Sequence, residues 1–269
     1  MKMQLKTLGR TGVKVPEIGL GTWEFTGKPE TLRRGVEIGA SFIDTAEIYG
    51  TEDVVGKAIS GIRQKVFLAT KASPNHFKYD DLLMAAENSL RRLGTSTIDL
   101  YQLHWPSNDV PIRETMRAME KLVKEGKIAH IGISNFSVQQ TKEAQEALSR
   151  YEVVSNQVEY HLLDRSIESE LIPFCERESI TIVAYSPLAR GSLAHPSIRN
   201  KRLSSVLESV RRTEGKTTAQ VSLNWINSRE NVVAIPKANS PEHVREDCEA
   251  SGWHLSQKSF ELIDEASKG

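Results

Sequence analysis

Eight short runs of β-branched and apolar residues recur along the chain, at 18–23, 41–46, 66–72, 98–105, 128–135, 153–160, 180–186 and 231–237. Longer charged segments separate them. Runs that are apolar on both faces predict strands of a parallel sheet covered on both sides. The segments between them read as helices, most clearly at 79–94, 112–127, 137–150, 166–179 and 217–230. In the first of these, Leu82, Leu83, Ala86, Leu90 and Leu93 recur with the 3.6-residue period of one buried face. Gly94 and Gly126 stand where helix C-caps belong. Eight β/α units in a chain of 269 residues predict a closed (β/α)8 TIM barrel, an α/β fold forming a single domain over 1–269. A doubly wound open sheet would carry a GxGxxG loop after an early strand, and GLGTWEFTG lacks one. Ahead of the repeats, two short alternating runs flank Gly9-Arg10-Thr11-Gly12. They predict a β-hairpin that closes the barrel bottom.

Charge excludes several functions. Lys plus Arg and Asp plus Glu are both 35, so no basic excess points to nucleic acid or an anionic membrane. No apolar run reaches the 18 or so residues of a membrane span, and MKMQLKTLGR has no signal-peptide core. Cys175 and Cys248 form no CxxC motif, which suits a reducing compartment and predicts a cytoplasmic protein. The seven histidines (His76, His104, His130, His161, His195, His243 and His254) form neither HxH nor HExxH, so no metal is expected.

A barrel of this kind carries its chemistry at the C-terminal ends of its strands. Polar residues collect there: Asp44 and Tyr49 after the second run, Lys71 on the third, His104 and Trp105 on the fourth. Ser134 and Asn135 end the fifth, Gln157 lies on the sixth, Tyr185 and Ser186 end the seventh, and Lys237 ends the eighth. Taken singly, each has an ordinary structural explanation, such as a helix cap, a snorkelling lysine or a core histidine. Together, three consecutive strands bring Asp, Tyr, Lys and His to one mouth. Burying an Asp–Lys pair is costly unless something uses it. A phenol is a weak acid at neutral pH, and a neighbouring ammonium lowers its pKa by favouring the phenolate. Tyr49 is therefore a candidate general acid toward a carbonyl, tuned by Lys71 and Asp44, with His104 orienting the carbonyl oxygen. Reducing a carbonyl also needs a hydride, which implies a nicotinamide cofactor.

These residues resemble the aldo-keto reductase family over essentially the whole chain. GLGTW, FIDTAEIYG, LATKA, DLYQLHWP, KIAHIGISNF, NQVEYH, AYSPLARG and AIPK stand in the family's order and spacing. The resemblance implies NAD(P)H-linked interconversion of aldehydes or ketones with alcohols, and a catalytic tetrad of Asp44, Tyr49, Lys71 and His104. It implies that Ser134, Asn135 and Gln157 hold the nicotinamide carboxamide, that Tyr185 stacks on the ring, and that Ser186 and Leu188 cover the pyrophosphate. Lys237, Asn239, His243 and Glu246 would face the adenosine end. Trp23, Phe25 and Trp105 would line the substrate pocket. Three positions depart from the family pattern: Ala238 replaces a hydroxyl residue, His243 an Arg, and Asp247 an Asn. An imidazole is positive only when protonated, so NADP(H) is expected to be preferred only modestly, with NAD(H) as the alternative. The expected partner is a small aldehyde or ketone bound by a monomer. A reductase-like binding or regulatory subunit is the competing reading, and the intact tetrad argues for the enzyme.

Overall fold

The computed structural model describes residues 2–194 and 200–268, so His195 lies outside the described residues. The chain opens with a two-stranded antiparallel hairpin, β1 (Leu5–Thr7) and β2 (Lys14–Pro16), with Leu5 opposite Pro16. Eight parallel strands follow: β3 (Leu20–Gly21), β4 (Phe42–Asp44), β5 (Phe67–Ala72), β6 (Ile98–Leu103), β7 (Ile128–Ser134), β8 (Val153–Glu159), β9 (Thr181–Tyr185) and β10 (Val232–Ala234). Each pairs with its sequence neighbour. The sheet closes on itself through a parallel bridge between Ile18 and Ala234. There the Gly19 amide donates to Ala234 O at 2.8 Å, and the Ala234 amide donates to Glu17 O at 2.9 Å.

The helices lie in the connections. They are α1 (Pro29–Glu37), α2 (Glu52–Ile59), α3 (Tyr79–Leu93), α4 (Ile112–Lys124), α5 (Val138–Ala147), α6 (Leu171–Arg177), α7 (Lys201–Glu214), α8 (Thr218–Asn227), α9 (Pro241–Cys248) and α10 (Gln257–Ser267). Four of the five expected helices keep their limits to within about three residues, a normal disagreement for frayed ends. The fourth expected helix is shorter than its periodic pattern. Its first turn is a separate 3₁₀ segment, Ser166–Glu168, and α6 begins only at Leu171. Pro173 lacks the N–H that an earlier helix would need there, and its ring would meet the preceding turn. Gly94 caps α3 in the left-handed conformation.

The hairpin plugs the barrel from below. Leu8 and Val15 are fully buried in one cluster with Phe42, Ala69, Leu100, Val154 and Val183. Gly9 makes this approach possible, because a Cβ there would stand 2.9 Å from Val154 O and its φ is +49°. Its amide donates to Thr181 Oγ1 at 2.8 Å. The barrel interior is therefore apolar and filled at the hairpin end, which leaves polar groups room only toward the other mouth.

Candidate active site

Strand alternation decides which side chains enter that mouth. Phe42, Ala69 and Leu100 point into the lower interior layer. Two residues further along the same strands stand Asp44, Lys71 and Gln102, and the β5–β6 register pairs Lys71 with Gln102. The interior thus changes from apolar to polar within one pleat. His104 follows on the same face of the β6 segment. Tyr49 comes from a 3₁₀ turn, Glu47–Tyr49, that closes just after β4.

The four tetrad side chains meet. Lys71 and Asp44 are almost wholly buried, with Nζ donating to Asp44 Oδ1 at 2.5 Å and to Thr45 O at 2.9 Å. Lys71 Nζ also donates to the Tyr49 hydroxyl at 3.3 Å, and His104 Nε2 lies 3.3 Å from the same oxygen. Burial alone would lower the Lys71 pKa, but Asp44 and Tyr49 more than offset this and leave it above the ordinary lysine value. His104 is pushed down to about 3 by burial and by the Lys71 cation, so its imidazole is neutral at physiological pH.

Tyr49 departs from the sequence expectation. Lys71 does favour its phenolate, but burial opposes ionisation more strongly and Asp44 adds to the opposition. The phenol pKa is therefore raised, and Tyr49 keeps its proton at neutral pH.

Gln102 did not emerge from the sequence as a site residue. Its Nε2 donates to Asp44 Oδ2 at 3.0 Å, beside Gln157 Nε2, which donates to the same oxygen at 2.8 Å. Each of the two Asp44 oxygens is thus held by a donor. The amide of Gln157 that was expected to face a cofactor is turned inward, leaving Oε1 as its free polar atom among the described residues.

A cavity of about 860 Å³ opens above the tetrad and runs to the start of α9. Asp44, Tyr49 and His104 form part of its floor, while Lys71 lies behind Tyr49. Trp23 and Trp105 form part of its wall, each about two-fifths exposed. Phe25 is turned into the apolar core and takes no part in that wall.

Ser134, Asn135, Gln157 and Tyr185 adjoin the floor. Asn135 holds a left-handed backbone, with φ of 62°. Its Nδ2 donates to His104 O and to Ser134 Oγ, each at 3.1 Å, and the Tyr185 hydroxyl donates to its Oδ1 at 3.1 Å. Ser134 Oγ donates to Gln157 O at 2.9 Å. Gln157 and Asn135 line the cavity and carry side-chain carbonyl oxygens, acceptors of the kind that the N–H₂ of a carboxamide needs.

Ser186 and Leu188 border the cavity on a loop in which Ser186, Ala189 and Arg190 all have positive φ. The Arg190 guanidinium lies 5.1 Å over the Trp23 ring and ties this loop to the opposite wall. At the far end are Lys237, Ser240, His243 and Glu246. Lys237 and His243 are exposed at the first turn of α9, where the positive end of the helix dipole favours anions. The Asn239 side chain accepts from the Thr26 amide at 3.1 Å, so it braces the loop after β3. Asp247 is buried in this wall, and burial together with Glu246 holds its carboxyl well above the usual carboxylate range. A protonated carboxyl, like an Asn amide, presents both a donor and an acceptor, though with one N–H fewer to give.

Among the described residues, no group of three His, Cys, Asp or Glu side chains could hold a metal ion. Among the described residues, no helix is long and apolar enough to cross a membrane.

The Aldo/keto reductase family model matches residues 17–268. Methylglyoxal reductase YeaE of Escherichia coli (strain K12) is 38% identical, the match covering 98% of this chain and 95% of that protein. The thermostable aldo-keto reductase Tm1743, solved with the inhibitor epalrestat, superposes with a TM-score of 0.91 at 40% identity, over 98% of this chain and 100% of that one. An aldo/keto reductase from Klebsiella pneumoniae, solved with NADP and acetate, gives a TM-score of 0.87 at 38% identity, over 98% and 95% of the two chains.

Proposed function

The chain belongs to the aldo-keto reductase family, and from that membership we propose that it reduces small aldehydes and dicarbonyls, with Tyr49 as the proton donor and NADPH as the hydride source. The observation that carries this is the position of the Tyr49 hydroxyl, 3.3 Å from both Lys71 Nζ and His104 Nε2 at the floor of an elongated cavity. A dicarbonyl substrate is supported by the methylglyoxal reductase relative and by the open, aromatic walls at Trp23 and Trp105.

The residues present fit the cofactor. Gln157 Oε1 and Asn135 Oδ1 would accept from the carboxamide, Tyr185 would back the ring, Ser186 and Leu188 would cover the pyrophosphate, and Lys237 and His243 would meet the 2′-phosphate. Bound there, the nicotinamide supplies the hydride. The chain's own groups do the rest. The Tyr49 hydroxyl and His104 Nε2 converge on one point, where they can hold the carbonyl oxygen. As negative charge grows on that oxygen, Tyr49 passes its proton to it. Lys71 then stabilises the phenolate left behind, and Asp44 keeps Lys71 charged and aimed. The protein is proposed to act as a monomer in the cytoplasm, in keeping with its two free, buried cysteines.

Tyr49→Phe tests the assignment. It removes one oxygen and leaves the cavity intact, so carbonyl reduction should fall by a factor of about 10³ or more while NADPH binding, followed by tryptophan fluorescence, is kept. Turnover near the wild-type rate would end the assignment.

A further inference from the structure

The structure assigns Gln102 as a positioning residue that fixes the Asp44 carboxylate and, through Lys71, sets the acidity of Tyr49. This rests on the proton-donor reading of Tyr49 above. Gln102 is fully buried at the polar layer of the barrel interior. Its Nε2 donates to Asp44 Oδ2 at 3.0 Å, and its Oε1 accepts from Gln157 Nε2 at 3.3 Å. The second contact fixes the amide orientation, because a flipped Gln102 would turn an acceptor toward a carboxylate oxygen. Asp44 is thereby held on two sides, by Lys71 on Oδ1 and by two amides on Oδ2.

The barrel is shaped to admit this side chain. Gly132 is the register partner of Gln102 on β7. A Cβ on Gly132 would stand 2.8 Å from Gln102 Cγ and 2.8 Å from Ser155 Oγ. The absent side chain on one strand is thus the space that the stem of Gln102 occupies. An apolar residue would fill the same space, so packing alone does not call for a glutamine.

The amide supplies a donor to a charge that also acts on Tyr49. Lys71 favours the phenolate and Asp44 disfavours it. An N–H on Asp44 Oδ2 offsets part of the carboxylate's field. Without it, more of that field reaches Tyr49, and the phenol becomes a weaker acid. Gln157 ties the same carboxylate to the cavity, since its Nε2 is on Asp44 and the residue lines the cavity. Gln102 does not line the cavity and reaches the chemistry through Asp44.

The test is Gln102→Met, which is close in volume and has no donor, measured against wild type with methylglyoxal and NADPH and, in reverse, with an alcohol and NADP. The expected result is a fall in kcat of about tenfold with KM for the carbonyl and Kd for NADPH within about twofold of wild type. Alcohol oxidation needs Tyr49 without its proton, so log kcat rises with pH. In Gln102→Met that rising limb should lie about one pH unit to the alkaline side. Gln102→Glu offers a donor only when protonated. It should approach the wild-type kcat at acid pH and fall below Gln102→Met at alkaline pH, where a second carboxylate faces Asp44. An unmoved pH profile in both variants would overturn the inference, as would a kcat loss matched by an equal loss of NADPH binding. If Tyr49→Phe abolishes reduction while Gln102→Met leaves the profile in place, the positioning role alone fails. If Tyr49→Phe is active, the proton-donor reading fails first.

Discussion

Lys71→Met removes a buried cation and keeps its volume. Lys71 and Asp44 are 1% and 2% exposed, so the charge left on Asp44 has almost no contact with water. Breaking a buried pair by removing one partner typically costs about 3–5 kcal/mol. Here the lower end applies, because Gln102 and Gln157 still donate to Asp44 Oδ2. For a chain of this size each kcal/mol moves Tm by about 2–4 °C, so the variant should melt roughly 6–12 °C below wild type at neutral pH. A proton on the stranded carboxylate relieves the penalty, so the gap should narrow as the solution is acidified. Asp44→Asn/Lys71→Met carries no buried charge and keeps an oxygen for both glutamines. It should recover at least about half of the lost Tm, while reduction stays lost in both variants. The assay is thermal melting by circular dichroism across pH, with NADPH oxidation measured on the same samples. A Lys71→Met protein melting within about 2 °C of wild type, or a double variant less stable than the single one, would refute the reasoning.

His104→Gln should keep the fold and reduce kcat by about 10², because one of the two groups that converge on the carbonyl oxygen is misplaced. The same variant carries a pH signature. The folded His104 pKa is lowered to about 3 from 6.5, so the unfolded chain binds the proton first as pH falls. Wild type therefore loses stability below about pH 6.5, by at most about 2 kcal/mol at pH 5 from this group. His104→Gln lacks this loss, so its Tm should rise relative to wild type between about pH 7 and pH 5, and a constant difference would show that His104 is not buried neutral. His243→Arg places a fixed fork of donors beside Lys237 and should tighten NADPH binding about tenfold with NADH little changed. Equal changes for both cofactors by fluorescence titration would remove His243 from the 2′-phosphate.

The fold was legible because each element carries its own period. Eight apolar runs and the charged segments between them already imply a parallel sheet under helices, and the Ile18–Ala234 bridge shows that the sheet closes. What the runs did not show is how much of each is paired. The first run covers 18–23, yet β3 is only Leu20–Gly21, and the last covers 231–237, yet β10 is Val232–Ala234. These strands meet at the closing seam, where the backbone pairs through one bridge and a few bonds beside it. An apolar run records burial, whereas a strand assignment records a ladder, and at the seam the two part company.

The site was legible where a residue type is costly to bury. Asp44 and Lys71 drew notice because charges are expensive inside a protein, whereas Gln102 carries no charge and sits in DLYQLHW between Tyr101 and Leu103. Its signal was the alternation itself, since Leu100, Gln102 and His104 share a face. The acidity of Tyr49 shows the opposite limit. From sequence only the neighbouring Lys71 is visible, and it argues for an easier proton. Burial belongs to the folded chain, and it is the larger effect. That balance still suits a donor. The oxygen that receives the proton becomes an alkoxide as hydride arrives, and an alkoxide is a far stronger base than a phenolate. A phenol with a raised pKa can therefore still protonate it, and at neutral pH every molecule of the enzyme carries that proton. Lys71 matters most after the transfer, when the phenolate would otherwise be a bare charge in a buried place. Its pairing with Asp44, and the amides that hold Asp44, keep that stabilising charge aimed before the phenolate exists.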